Sequence, residues 1–244
     1  GKHVLVEKPL VFDLAEADTL LAEAASRDLF FGINLNHRYA EPVLRLRRAV
    51  EAGELGDVVF VTWRFGGEAN IGTSPHANLI ETQVHGLDMV EHLCGPVVSV
   101  MAQMYDGAIP GTFTTLAVAL ELANGGVGTF LGSYDSSYAY PGTHHLEVNG
   151  TLGRGVVEDT VRRLVLSRAG EETAQVWEAG YFNDEARSFH TTFDRHVDAV
   201  LGALRAGGEP PVHARAGRRA LELAHAIIRS AEEGVRVRTV PDAT

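Results

Sequence analysis

The sequence predicts an α+β fold, in which a short βαβ unit is followed by a large, mainly antiparallel, open β-sheet with helices packed on one face. Three observations predict it. Strand and helix patterns alternate at the start of the chain, strand patterns then follow one another without helices between them, and two amphipathic helix patterns come last. Parallel strands need a crossover, usually a helix, whereas strands joined by turns pair antiparallel. The two kinds of connection therefore predict two kinds of sheet.

The βαβ unit occupies the first residues of the chain. Val4 to Glu7 is typical of a short buried strand, and Phe30 to Asn34 is typical of a second one. Between them, Asp13-Leu-Ala-Glu16 is a capping box, and apolar residues recur on one face of the helix that it opens. A unit of this kind normally belongs to a larger parallel sheet, so we expect further residues upstream of Gly1.

The pattern changes from residue 58 onwards. Before this point, Glu41-Pro42 begins a helix that ends at Gly53. Val58 to Phe65 is a strand, and a helix runs from about Glu81 to Cys94, where Gly95-Pro96 stops it. We expect this helix at the edge of the large sheet. Five further strands, each bounded by turn residues, are predicted at 97–105, 114–122, 127–133, 144–148 and 163–167. Helices at 189–204 and 218–233 are the last predicted elements.

Composition and charge narrow the classes of protein. With 244 residues, of which 45% are hydrophobic, the chain is long enough to bury a sizeable core. Its formal net charge of −11, with no block of Lys or Arg, argues against nucleic acid or a membrane surface as partner. No apolar run approaches the roughly 18 residues that span a bilayer, and no signal-peptide pattern is present. The single cysteine, Cys94, cannot form an internal disulfide, and we expect a cytoplasmic protein.

One helix pattern aligns four polar residues. At 100° per residue, Glu81, His85, Asp88 and His92 fall within about 60° of one another, opposite an apolar side. Three interpretations fit this stripe: a general base, His85, tuned by neighbouring carboxylates; a solvated helix face; or ligands of a divalent metal ion. The spacing alone favours the solvated face, so the surrounding motifs must decide.

A second motif, Glu7-Lys8-Pro9, directly follows the first strand. A lysine at the carboxyl end of a parallel strand points into the crevice where open α/β sheets bind ligands. The simpler alternative is a solvated lysine at a strand end, because most lysines lie at the surface. Taken alone, the motif favours this alternative.

Together the two motifs resemble the Gfo/Idh/MocA oxidoreductase family, and the resemblance runs through nearly the whole chain. Six segments carry it in the family's order: Gly1 to Leu10, Asn34-Leu-Asn-His-Arg38-Tyr39, Gly53-Glu-Leu-Gly56-Asp-Val, Glu81-Thr-Gln-Val-His85-Gly-Leu-Asp88, Leu146 to Gly153, and the last two helices. The resemblance implies that residues 1–40 are the end of a dinucleotide-binding Rossmann domain. Residues 41–244 would then form the family's C-terminal α/β domain for substrate binding and dimerisation.

The resemblance also implies a role for each site residue. Lys8 would lie between nicotinamide and substrate, His85 would take the hydroxyl proton, and Glu81 would assist where the family commonly has Asp. These roles suit the chemistry, because oxidising an alcohol needs a base for the O–H proton and a cation for the developing alkoxide. The expected cofactor contacts are Glu7, Lys8 and Pro9. The expected substrate contacts are Lys8, Arg38, His76, Glu81 and His85, and no metal is expected.

The implied function is an NAD(P)-dependent dehydrogenase that transfers hydride between nicotinamide and a hydroxyl of a sugar, cyclitol or polyol. The sequence has no G-x-G-x-x-G between a strand and a helix, so we expect the main cofactor loop upstream and this chain alone to be inactive. Apolar residues on both faces of Leu116 to Leu120 predict a homodimer or homotetramer through the open sheet face. The alternatives are an NAD-dependent glycosidase of the same family, a non-catalytic dimerisation module and a metal-dependent sugar isomerase.

Overall fold

The computed structural model describes residues 1–67, 74–107, 109–135 and 142–239. The helices are α1 (Leu14–Ser26), α2 (Glu41–Glu51), α3 (Val84–Cys94), α4 (Asp184–Arg187), α5 (Thr191–Arg205) and α6 (Ala214–Glu233). The strands are β1 (Val4–Val6), β2 (Phe31–Ile33), β3 (Val58–Gly66), β4 (Val97–Asp106), β5 (Phe113–Leu122), β6 (Val127–Ser133), β7 (His145–Gly150), β8 (Gly153–Glu158), β9 (Arg163–Arg168), β10 (Ala174–Glu178) and β11 (Val237–Arg238). A 3₁₀-helix spans Asn36–Tyr39, and a π-helix spans Asn78–Gln83 directly before α3.

The strands form two separate sheets. β1 and β2 pair in parallel on either side of α1 in the chain, as the βαβ pattern predicts. The other strands form one sheet in the order β10-β9-β8-β7-β3-β6-β5-β4-β11. In this sheet β3 and β6 are parallel, and the other neighbouring pairs are antiparallel. The prediction of an α+β fold with a large, mainly antiparallel sheet is confirmed.

Helices cover one face of the large sheet and leave the other face open. Along β5, Leu116, Val118 and Leu120 are buried, whereas Ala117 and Ala119 between them are exposed. This alternation follows from the period of two in a β-strand, which sends successive side chains to opposite faces. The buried side packs against α3, which contacts β3, and against α6, which contacts β4. The predicted packing of helices on one face is therefore confirmed.

Helix α3 lies across the middle of the sheet rather than at its edge, where the sequence predicts it. The parallel pairing of β3 with β6 makes β3 the central strand, and α3 packs directly on β3. Gly86 permits the close approach, because a Cβ atom there would lie 2.3 Å from Trp63 Nε1 and 2.7 Å from Phe130 Cε2. A pairing between strands distant in sequence decides this position, and local patterns carry no signal for it.

Local sequence patterns predict neither β8 nor β10. The first half of β8 belongs to Gly150-Thr-Leu-Gly-Arg-Gly155, which is typical of a turn. Gly155 serves packing instead, because a Cβ atom there would lie 2.2 Å from Leu46 Cδ1 of α2. Strand β10 lies at the sheet edge with most of its residues exposed, so it lacks the alternating apolar pattern that marks a half-buried strand.

The helix ends follow their capping residues. Asp13 Oδ1 accepts the backbone N–H of Glu16 at 2.9 Å, which confirms the predicted start of α1. Helix α6 begins at Ala214 rather than at 218, because His213 Nδ1 accepts the backbone N–H of Arg215 at 3.1 Å. No helix in the described ranges is both long and apolar enough to cross a membrane.

Candidate active site

Lys8 lies where β1 ends and reaches the start of the helix that carries the polar stripe. Its Nζ donates a hydrogen bond to the backbone carbonyl of Glu81 at 2.5 Å. Burial lowers the pKa of Lys8, while the carboxylates of Glu7 and Glu81 raise it and limit the shift. The peptide bond between Lys8 and Pro9 is cis. The two motifs of the sequence, 73 residues apart, thus meet in space.

The first turn of this helical segment is a π-helix, so the stripe is not one regular α-helical line. Glu81 belongs to the π-helix and His85 to α3. Single-turn π segments inside helices occur frequently at functional sites. The negative charge of Glu81 raises the pKa of Lys8, and it has the same effect on Tyr134. The main cause of the raised pKa of Tyr134 is burial. The hydroxyl of Tyr134 in turn forms a hydrogen bond with Thr82.

His85 is buried and stacked face to face on His37. The ring centroids are 4.1 Å apart and the planes are 9° from parallel. Burial lowers the pKa of His85 well below its ordinary value, and the positive charges of protonated His37 and Lys8 would lower it further. His85 is therefore a neutral imidazole at pH 7. Its Nδ1 is buried without a hydrogen-bond partner among the described residues, which leaves Nε2 to meet a ligand.

His37 is a component of this site that the sequence analysis does not predict. Its ring contacts Phe189 at 5.4 Å and Phe65 at 5.7 Å between centroids, and Phe65 in turn stacks on His144 at 3.8 Å. Burial, with the charges of His144 and Lys8, lowers the pKa of His37 to about 3. The available signal was its position beside Arg38 in the Asn34 to Tyr39 segment. The stacking itself joins two residues that are 48 positions apart in the sequence.

The second half of the stripe is tied into ion pairs and hydrogen bonds. Arg38 Nε donates to Asp88 Oδ2 at 2.8 Å, and Arg38 Nη2 donates to Asp88 Oδ1. Burial lowers the pKa of Arg38, but the adjacent Asp88 carboxylate outweighs it, and the net shift is upward. Arg47 donates to the backbone carbonyl of His92, and burial lowers the pKa of the His92 ring to about 3. The substrate-binding role of Arg38 stays a prediction, since its guanidinium is engaged by Asp88.

His76 faces a different part of the molecule. Its ring stacks on Phe113 with centroids 5.2 Å apart, and its Nε2 lies 3.8 Å from Glu232 Oε1 of α6. None of its contacts among the described residues joins it to Lys8 or His85. Its role in substrate binding stays a prediction, and residues 68–73 of the same predicted loop lie outside the described residues.

Glu7 is anchored by a chain of hydrogen bonds that reaches α5. Asn34 Nδ2 donates to Glu7 Oε1 at 2.6 Å, and His196 Nδ1 and Asn34 Oδ1 form a hydrogen bond of 2.7 Å. Because an amide oxygen only accepts, His196 donates from Nδ1. These two hydrogen bonds fix the carboxylate of Glu7 beside Lys8. In the part of the chain that the structure describes, no group of three or more His, Cys, Asp or Glu residues is arranged to hold a metal ion.

Comparison with known proteins assigns the chain to a family. The family model of the oxidoreductase family C-terminal alpha/beta domain (GFO_IDH_MocA_C) matches residues 47–239. The chain belongs to the Gfo/Idh/MocA oxidoreductase family. Among curated Gfo/Idh/MocA relatives, it is 25% identical to the myo-inositol 2-dehydrogenase of Thermotoga maritima, over 95% of this chain and 71% of the relative. It is 23% identical to the inositol 2-dehydrogenase of Rhizobium meliloti, over 96% of this chain and 72% of the relative.

Solved structures show the same fold. A levoglucosan dehydrogenase in complex with NADH and levoglucosan superposes with a TM-score of 0.87 at 17% identity, covering 99% of this chain and 74% of that chain. The WlbA dehydrogenase of Bordetella pertussis, in complex with NADH and UDP-GlcNAcA, superposes with a TM-score of 0.78 at 20% identity. The superposition covers 98% of this chain and 73% of that chain. The Gfo/Idh/MocA fold thus extends over nearly the whole of this chain.

The residues of this site suit the nicotinamide end of a dinucleotide. Lys8 stands at the carboxyl end of a parallel strand, which is where open α/β sheets bind ligands, and a neutral imidazole lies beside it. An ammonium and an unprotonated base are the two groups that alcohol oxidation requires of the protein. For the pyrophosphate, the sequence has no glycine-rich turn between a strand and a helix. The fit therefore concerns the reacting end of the cofactor.

Proposed function

We propose that this protein is an NAD(P)-dependent oxidoreductase that interconverts a hydroxyl and a carbonyl group on a sugar, cyclitol or polyol. The observation that carries the proposal is the meeting of Lys8 with the Glu81 to His85 turn, where a buried, neutral imidazole lies beside an ammonium. The inositol dehydrogenases and the NADH-bound dehydrogenases described above support the substrate class and the cofactor.

The proton and the developing charge are handled by the residues of the chain. His85 Nε2 accepts the proton of the substrate hydroxyl, because its Nδ1 is buried and its ring is uncharged. The Lys8 ammonium stabilises the alkoxide oxygen that develops as this proton leaves. Glu81 holds Lys8 through its backbone carbonyl and favours the charged amine through its carboxylate. A bound nicotinamide supplies the acceptor for the hydride that leaves the carbinol carbon, so that the substrate becomes a ketone or aldehyde.

Residues 1–40 supply the cofactor side of this site. Glu7, Lys8 and Pro9 would line the nicotinamide, with Glu7 fixed by Asn34. The division into a cofactor-binding part at residues 1–40 and a substrate-binding part at 41–244 belongs to this proposal. A cytoplasmic location belongs to it as well. Burial raises the pKa of the Cys94 thiol to about 12, which keeps it in the unreactive protonated form.

A substrate panel tests the proposed function. The full-length protein is mixed with NAD⁺ or NADP⁺ and with inositols, aldoses, anhydrosugars and linear polyols, and formation of the reduced nicotinamide is followed by absorbance. We expect turnover with at least one cyclic polyol or sugar, and turnover about 1,000-fold slower at pH 7 with the variant His85→Gln. Absence of reduced cofactor with every compound, together with hydrolysis of glycosides, would favour the NAD-dependent glycosidase instead.

We also propose that the open face of the large sheet joins two copies of the chain. Here the open face means the exposed side chains of β4, β5 and β6. Two cross-strand rows within it are Met101, Ala119 and Thr129 in one and Gln103, Ala117 and Leu131 in the other. Met101 is 49% exposed and Leu131 is 39% exposed, and with the two alanines four of the six side chains in these rows are apolar. Exposed apolar surface of this kind is typical of a protein interface.

A matched pair of charge substitutions tests this interface. Leu131→Glu places a carboxylate on the open face, whereas Leu201→Glu changes a leucine of nearly equal exposure, 41%, on α5. Burying an apolar side chain is worth about 1.5 to 3 kcal/mol, so Leu131→Glu should weaken association about tenfold or more by analytical ultracentrifugation. Leu201→Glu should leave it unchanged. A wild-type monomer at micromolar concentration would contradict the proposal.

A further inference from the structure

The imidazole ring of His37 covers one face of His85, the proposed base. His37 and His85 come from different elements, the 3₁₀-helix and α3, yet their rings are nearly parallel with centroids 4.1 Å apart. Both rings are almost fully buried, at 3% and 7% exposure. Since His85 lacks a hydrogen-bond partner at Nδ1 among the described residues, no hydrogen bond from that side fixes the plane of its ring. The stacked ring of His37 is the contact that does so.

The residues of the 3₁₀-helix directly before and after His37 are both anchored by hydrogen bonds to other helices. The residue before it, Asn36, donates from Nδ2 to Thr192 Oγ1 of α5 at 2.7 Å. The residue after it, Arg38, is paired with Asp88 of α3 through two hydrogen bonds. Two different helices thus anchor the neighbours of His37, and this anchoring restricts the motion of the ring between them.

We propose that His37 is a positioning residue, which holds the plane of the His85 ring and excludes water from one of its faces so that Nε2 is directed at the substrate hydroxyl. The role of His85 as base comes from the proposed function, and the inference about His37 rests on it. His37 itself touches neither substrate nor cofactor in this scheme. Phe65 and Phe189 pack against His37 and complete the apolar wall.

The charges around His85 explain why the ring stacked on it, that of His37, needs to be uncharged. Lys8 faces His85 from the end of β1, Glu81 precedes it in the π-helix, and His144 acts on His37 from the segment before β7. Burial and the positive groups keep His85 unprotonated, and a charged side chain in place of His37 would change this balance. Without the His37 ring, water reaches His85, the desolvation of its charged form decreases, and its pKa rises.

Two substitutions separate stacking from the chemistry of the His37 nitrogens. His37→Phe keeps a flat ring, whereas His37→Ala removes it. In the full-length protein with NAD⁺, His37→Ala should lower kcat about 100-fold, the scale expected of a misplaced reacting group, with little change in KM. His37→Phe should stay within about threefold of wild type, because a flat ring remains against His85.

A second readout does not depend on activity. The His85 ring is titrated by NMR in protein with labelled histidine, with His85→Gln used to assign its signal. In His37→Ala the pKa of His85 should rise by about one unit or more, whereas in His37→Phe the larger cause, burial, is kept and the pKa should stay well below its ordinary value. The acid limb of the kcat/KM profile should move to higher pH in the alanine variant by the same amount, because a protonated base accepts no proton.

Several outcomes would overturn the proposal. Equal losses in His37→Ala and His37→Phe would show that the ring nitrogens matter, and an unchanged His85 titration in His37→Ala would show that the ring does not shield His85. If His37→Ala does not fold, His37→Leu replaces it, since leucine fills the volume without a flat ring and should lower kcat while leaving the pKa of His85 low. If wild type oxidises no substrate, the proposed function fails, and the NMR titration still decides the shielding by His37.

Discussion

The two halves of the polar stripe, one helical turn apart, have opposite surroundings. The Glu81 to His85 half faces Lys8, and it holds a buried imidazole nitrogen without a hydrogen-bond partner among the described residues. The Asp88 to His92 half is paired: Asp88 binds Arg38 through both carboxylate oxygens, and the His92 carbonyl accepts from Arg47. Both halves are largely buried, so burial alone does not distinguish them.

The difference lies in how many polar groups have partners within the protein. Buried polar groups are nearly always hydrogen-bonded in folded proteins, so an unpartnered one calls for a specific explanation. At His85 the unpartnered atom is the buried Nδ1, and Nε2 is left as the atom that meets a ligand, whereas both carboxylate oxygens of Asp88 are already engaged by Arg38. The comparison predicts that substitutions in the first half change activity and that substitutions in the second half change stability.

The largest expected effect is the loss of activity in Lys8→Met. Methionine keeps the length of the side chain but has no ammonium, so the alkoxide loses its cation and kcat should fall about 1,000-fold. Stability should hold or increase, because burial disfavours the Lys8 ammonium. Steady-state kinetics and thermal unfolding measure the two quantities. A stable variant with near wild-type kcat would contradict the role of Lys8.

The next effect concerns stability in the second half. Asp88→Asn leaves the Arg38 guanidinium without its counter-charge in a mostly buried position, and it should lower the free energy of unfolding by about 3 kcal/mol. The double variant with Arg38→Met and Asp88→Leu is the control, since an apolar pair should recover most of this loss. Urea unfolding measures both. A loss confined to the activity of Asp88→Asn, with unchanged stability, would reverse the comparison.

A pH effect on stability comes from the histidines in and beside the stripe, because burial keeps them neutral. The pKa values of His37 and His92 are lowered to about 3 and that of His196 to about 4, against an ordinary value of 6.5 in the unfolded chain. Between these values only the unfolded chain binds the proton. The free energy of unfolding is therefore constant above about pH 6.5 and falls below it, by up to about 1.4 kcal/mol per pH unit for each histidine.

Urea unfolding at several pH values from about 7.5 to 5 measures this slope, since most carboxylates remain ionised in that range. His37→Phe should lower the slope by the share of one histidine. A stability that does not change over the range would show that the rings are not held neutral by the fold.

The smallest expected effect is that of His92→Gln. The fold uses the backbone carbonyl of His92 to hold Arg47, and the charges that act on the ring are those of Arg38 and Arg47. We therefore expect kcat/KM within about threefold of wild type and a stability change below about 1 kcal/mol, as for most substitutions outside a specific network. A large loss of kcat/KM would extend the functional half of the stripe to His92.

Periodicity and turn residues were enough to predict most of the fold. The capping box at Asp13, the apolar alternation along β5 and the Gly95-Pro96 stop after α3 are local signals, and each acts where it is read. The parallel pairing of β3 with β6, by contrast, joins distant segments and moves α3 from the sheet edge to its centre. Gly155 misled the prediction of β8 because its small size serves packing against Leu46.

The candidate site also contains residues that the sequence predicts and contacts that it does not. Lys8, Glu81 and His85 could be named because their motifs resemble a family whose order of segments this chain follows. The partner of Arg38 and the stacking of His37 could not be read from the sequence, since each depends on contacts between the 3₁₀-helix and α3. The π-helix also escapes an analysis that assumes 100° per residue throughout.

The pH dependence of kcat/KM in His85→Gln tests most directly whether His85 is the base. For wild type we expect a kcat/KM that is constant from about pH 7 to 9, because the base is already unprotonated there. For His85→Gln we expect a kcat/KM about 1,000-fold lower at pH 7 that rises about tenfold per pH unit, as hydroxide replaces the missing base. A His85→Gln variant that keeps wild-type kcat/KM at pH 7, on the best substrate of the panel, would contradict this expectation.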